Sequence, residues 1–202
     1  MQPDARSPLG RAGSESAMSL DGSGWQNQGM DASALLIDAA TRPVGTADAV
    51  LNGISDEVLH AMPGGRGNSI AWLVWHAARQ WDYQLAELSG EDQVWVTGDW
   101  GERLGVGRGA TEFGFGDSLE DVAALRVSDP AALRDYLAAV VEAFSGYLRR
   151  LTSAQLDDVV DTRWDPPVTR GVRIISIIDD AVTHLGQAAY ARGVAEGWRA
   201  GY

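Results

Sequence analysis

Three features of the sequence predict an all-α fold, a four-helix bundle with one long lid loop and a short extended connector. Four stretches of about 20 residues repeat apolar side chains at three- and four-residue spacing, the period of an amphipathic helix. The connections between them are long, and no two runs alternate like paired strands. At 202 residues and 45% apolar side chains, the chain has the size to bury one core and would crowd two.

Residues 1–29, rich in Gly, Ser, Asp and Gln and without period, are expected to be a disordered leader before a domain spanning 30–202. Met1, Met18 and Met30 are alternative starts. The first helical pattern begins at Asp31 and continues through Leu35, Leu36 and Ala39 to Ile54. Pro43 either opens a helix capped by Thr41 or kinks a longer one. Ser55–Leu59 predicts a short turn of helix, and Pro63–Gly67 a firm break. The second helix opens with Asn68 or Ser69 as N-cap and runs to about Leu88, burying Ile70, Leu73, Ala77, Trp81 and Leu85.

Ser89–Asp117 follows, 29 residues with eight glycines. A loop of that length in a compact domain is uncommon, and its Trp95, Trp100, Phe113 and Phe115 seek burial, so an ordered lid is expected. Ser118–Arg126 predicts a short helix. Asp129-Pro130 supplies the cap and first-turn proline of a third helix through Leu151. Val159–Thr169, with two prolines, is the extended connector. The fourth helix, Val172–Arg192, buries Ile174, Ile177, Ile178, Ala181, Leu185 and Ala188.

Charge and composition exclude several functions. Sixteen basic against 28 acidic residues leave a net charge of −12, which phosphate backbones repel, so nucleic acid is not an expected partner. No cysteine is present, which rules out disulfides, a cysteine nucleophile and thiolate metal ligands. No apolar run approaches the ~18 residues of a membrane span, and the first 29 residues lack a signal-peptide core. The expected compartment is the cytoplasm.

Two polar residues interrupt the apolar face of the fourth helix. Asp180 and His184 stand four apart, on one side and on adjacent turns, while Asp179 points about 100° away. Among the three histidines, His76 lies beside the buried stripe of the second helix, and His60 follows a short turn as an exposed or structural residue. Helical bundles build metal sites from facing helices. His76, Asp180 and His184 would make a three-ligand set with an open position, suited to zinc and also to nickel, iron or manganese. The same spacing suits an ion pair at the helix edge, and a lone histidine beside tryptophans suits a core position.

The run Asn-Ser-Ile-Ala-Trp-Leu-Val-Trp-His-Ala-Ala-Arg (68–79) resembles the second-helix motif of the DinB-like superfamily. Asp180-x3-His184-Leu-Gly-Gln-Ala188 resembles its last-helix motif, His-x3-His-x-Gly-Gln. The likeness covers about residues 31–196, includes the Trp-x4-Gly and Gly-Phe-Gly elements of the lid, and is nearest the actinobacterial branch with mycothiol-dependent transferases. It implies an up-down-down-up bundle binding a divalent metal through three histidines. His76 and His184 fall on two of those positions, and Asp180 stands where the middle histidine is usual. A carboxylate there keeps a chemically sound site that favours harder metals.

The resemblance further implies a low-molecular-weight thiol as co-substrate, a small-molecule electrophile, and homodimerisation in some relatives. Arg103 and Arg108 of the lid, with Trp100, are candidates for contacts to the thiol or substrate, and Gln187 for orienting His184. The expected function is metal-dependent thiol S-transfer. The alternatives are a non-catalytic bundle that holds an apolar ligand or partner through its tryptophans, and a metal-dependent hydrolase.

Overall fold

The computed structural model describes residues 31–201, so the expected leader and all three alternative starts lie outside the described residues. Helix α1 (Ala32–Leu51) is capped by Asp31, whose carboxylate accepts from the Ala34 N–H at 2.7 Å. It runs through Pro43 as one helix, and Thr41 is not its cap: the Thr41 hydroxyl donates to the Asp38 carbonyl inside the helix. An interior proline costs about 3 kcal/mol. Packing of α1 against two neighbours and burial of Pro43 itself oppose that cost.

After α2 (Asp56–Leu59) and a 3-10 turn at Pro63–Gly65 comes α3 (Ile70–Ser89). It starts where Ser69 Oγ accepts from the Trp72 N–H, and stops at Gly90 in the left-handed region. The expected lid contains two short helices, α4 (Val94–Thr97) and α5 (Trp100–Leu104). Then come α6 (Leu119–Ala124), opened by a Ser118–Asp121 capping box, and α7 (Pro130–Arg150), opened by Asp129 and Pro130. The connector forms a small antiparallel pair, β1 (Val159–Asp161) and β2 (Val168–Thr169), where no strand pairing was expected. Helix α8 (Arg170–Glu196) is capped by Thr169 and exceeds its predicted span at both ends.

Helices α1, α7, α3 and α8 form a ring in which each packs on the next. Side-chain contacts give their directions. Gln80 meets Ile177 and Gln84 meets Arg173, so α3 and α8 are antiparallel. Tyr136 meets Asp82 and Tyr147 meets the Leu88 carbonyl, so α3 and α7 are parallel. Arg134 reaches Asp48, making α7 antiparallel to α1, and Arg192 caps the end of α1 through the Val50 and Asn52 carbonyls, making α1 and α8 parallel. The topology is up-down-down-up.

Because α3 and α7 are parallel neighbours, the chain between them must return along the bundle. Residues 90–129 make that return and close over α3 as a strap. Fourteen of the twenty residues of α3 are consequently buried, so it is the central element. Among the described residues no helix is long and apolar enough to cross a membrane.

Candidate metal centre

His76 lies on α3 and is 7% exposed. Its Nδ1–H donates to the Phe113 carbonyl of the strap at 2.5 Å. A carbonyl only accepts, so the proton sits on Nδ1 and Nε2 keeps its lone pair. The indole of Trp72 stacks on the ring at 4.6 Å and 6°. Trp72 Nε1–H donates to Asp117 at 2.8 Å, and the other Asp117 oxygen accepts from Arg108 at 2.9 Å. Gly114 fits the strap to this surface: with φ at +91°, a Cβ there would stand 2.9 Å from His76 Nδ1.

His184, on α8, faces His76 with ring centroids 4.6 Å apart. Its Nδ1–H donates to the carbonyl of Asp180 one turn back at 2.8 Å, which again leaves Nε2 free. One ligand atom from each of His76, Asp180 and His184 falls within 4.8 Å of the others. Ligands about 2.1 Å from a tetrahedral ion stand about 3.4 Å apart, so closure is a matter of side-chain adjustment. Asp180 Oδ2 is buried and makes no hydrogen bond, with His184 Nδ1 3.4 Å away as its nearest ion-pair partner. That contact is long for a hydrogen bond, and the free Nε2 lone pairs of the two histidines beside the carboxylate make a donor set that fits a divalent cation.

Burial pulls the His76 pKa below its ordinary value, against the Phe113 hydrogen bond, and the facing His184 adds to the fall. The ring is thus neutral near pH 7, as a ligand must be. His184 goes the other way. Burial lowers it, but the Asp180 hydrogen bonds and charge together hold it above the ordinary value.

The other expected site residues separate. Arg108 belongs to the Asp117–Trp72 support behind His76, and its second nitrogen donates to the Asp121 carbonyl, so it is not free for a ligand. Arg103 is exposed, with its guanidinium over the Trp100 ring at 3.5 Å. Trp100 itself is buried against Tyr136 at 5.3 Å and lines no site. Gln187 is exposed and makes no hydrogen bond to His184. His60 is structural: Nδ1–H donates to the Asp56 carbonyl and Nε2 accepts from the Val127 N–H.

Two residues that matter to the site were not expected. Arg79, fully buried, donates to the Ala110 carbonyl at 2.7 Å, to Gln93 at 3.1 Å and to Tyr136 at 3.2 Å, which fastens the strap to α3. Asp82 accepts from the Val94 and Trp95 N–H groups, capping α4 from outside, and from the Tyr136 hydroxyl. Two opposite charges three apart inside an apolar helical stripe were the available signal.

The long helices form a four-helix bundle that brings a possible His/Asp/His metal-ligand group together from two antiparallel helices. The sequence pattern of the DinB superfamily matches residues 45–188, and the chain belongs to that superfamily. Among solved structures it is similar to a conserved protein from Enterococcus faecalis, at 35% identity and a TM-score of 0.78. That match covers 84% of this chain and all of the other. No curated protein matches it.

Proposed function

We propose that the protein is a metal-dependent thiol S-transferase, with His76, Asp180 and His184 holding one divalent cation, zinc first among the candidates. The observation that carries the reading is the convergence, within 4.8 Å of one another, of one ligand atom each from Asp180 and two histidines whose Nε2 lone pairs are both free. A cation held by three protein ligands with an open position lowers the pKa of a bound thiol into the neutral range. The chain contains no cysteine, so the nucleophilic sulfur has to arrive as a small molecule.

The protein's own part is to keep His76 neutral and to orient both imidazoles. Phe113 and Asp180 hold the Nδ1 protons in place, and the strap shields His76 from water. The tryptophan-platform alternative loses its support, because Trp95 and Trp100 are buried against Tyr136 rather than free to take a ligand.

Untagged protein is expected to carry close to one divalent ion per chain by elemental analysis, and H184A to carry none. Equal metal content in both would refute the ligand set. Turnover of an electrophile should require added thiol. Turnover at the same rate without thiol would mean that water is the nucleophile and the protein a hydrolase.

A further inference from the structure

Between α3, α8 and the β1–β2 hairpin lies a cleft of about 610 Å³ that the proposed metal centre does not use. Its walls include Gln84 and Glu87 of α3, Asp161 and Arg163 of the hairpin, and Arg170 and Arg173 of α8. That volume is in the range of small-ligand sites. Asp161 arranges the donors. It accepts from the Arg163 backbone N–H, Nε and Nη2 at 3.0, 2.9 and 2.8 Å, and from Arg173 Nη2 at 2.9 Å. Arg173 Nη1 donates to Gln84 at 3.2 Å.

Arg170 is committed to the fold, donating to the Leu88 carbonyl, the Tyr147 hydroxyl and Asp158. Among the described residues, Arg163 Nη1 and Arg173 Nε have no acceptor, and the exposed Glu87 carboxylate makes no ion pair, its charge acting on Arg163 from a distance. The cleft therefore presents donors and an acceptor to solvent together. Its three guanidinium groups are balanced by Glu87, Asp161 and the Asp158 that pairs with Arg170. An anion alone would have to approach a molecule of net charge −12, and a cation alone would have to enter among arginines. A ligand carrying both signs meets neither objection.

We infer that the cleft binds the amino-acid head of a small peptide-like molecule, its α-carboxylate on Arg163 and Arg173 and its α-ammonium on Glu87. Guanidinium–carboxylate hydrogen bonds give such a head a fixed orientation. Occupancy of the cleft does not depend on the metal-dependent reading above, since none of the three proposed ligands lines it.

The test is calorimetric titration of the full-length protein with S-methylglutathione, whose blocked sulfur separates cleft binding from cation binding. Saturable one-site binding with Kd of about 0.1–1 mM is expected. E87Q and R163A, both surface changes, should each weaken it at least about tenfold, as should a probe lacking the γ-glutamyl ammonium. H184A should bind like the wild type, so a cleft that binds in a protein without metal upholds this inference while the metal reading fails. Absence of saturation up to about 20 mM, binding indifferent to both E87Q and R163A, or binding lost in H184A alone would overturn it.

Discussion

At Gly114 a methyl group would meet His76 Nδ1 at 2.9 Å and the rings of Trp72 and Trp75 at 3.0 Å, on a backbone whose φ L side chains rarely adopt. G114A is therefore expected to lose about 1–3 kcal/mol in urea denaturation. It should also lose about 10–100-fold in metal affinity against a chromophoric chelator, because the neighbouring Phe113 carbonyl that orients His76 is lifted away. Wild-type values for both would show that the strap does not hold the ring. Asp82 gives a pH test. Burial raises its carboxyl above the ordinary 3.8, opposed by the Trp95 N–H, the Tyr136 hydroxyl, the Val94 N–H and Arg79. The folded state binds this proton more tightly than the unfolded chain, so the group's contribution to stability falls as pH rises from about 3.8 through the folded value. Denaturation at a series of pH values from about 3.8 upward should show wild-type stability declining relative to D82N, which has no such proton. A flat difference would mean that burial does not govern the group.

Arg79 acts on an element rather than a point. It reaches Gln93, Ala110 and Tyr136 and lies 4.6 Å from the Trp95 ring, so one α3 side chain holds the start and the middle of the strap and α7. R79M keeps the bulk and removes the donors. It is expected to cost about 3 kcal/mol or more, as breaking a buried polar network does, with amide exchange accelerated first across residues 93–112. Uniform acceleration over all four long helices would argue against a strap-specific role. The long helices were legible in the sequence because their signals are local: apolar stripes, Ser69 and the Asp129-Pro130 pair each act within one turn. The four- and five-residue helices α4 and α5 are too short to show a period, and their capping by Asp82 comes from another element. The burial of Trp100 was not legible for the same reason, since the partner that buries it is Tyr136, far along the chain. Two of the three proposed ligands, Asp180 and His184, are a same-helix spacing. The arrival of His76 opposite them depends on the register of α3 against α8, which spacing does not encode.

For the molecule as a whole, the proposed ligands join two of the four long helices, so cation binding is coupled to global stability. A ligand at 100 times its Kd stabilises the folded state by about 2.7 kcal/mol. In a chain of this size that is about 5–10 °C in Tm. Chelation should lower Tm by that amount in the wild type and leave H184A unmoved; equal responses would detach the stabilising ion from this site. The parallel placement of α3 and α7 has a wider consequence. Two adjoining columns that point the same way oblige the polypeptide to travel back about 30 Å between them, and the return journey here passes across His76. Connectivity makes that passage compulsory yet leaves much of its wording free, since Gly107, Gly109 and Phe115 face water. The doorway is open to rewriting while the pillars stay as they are.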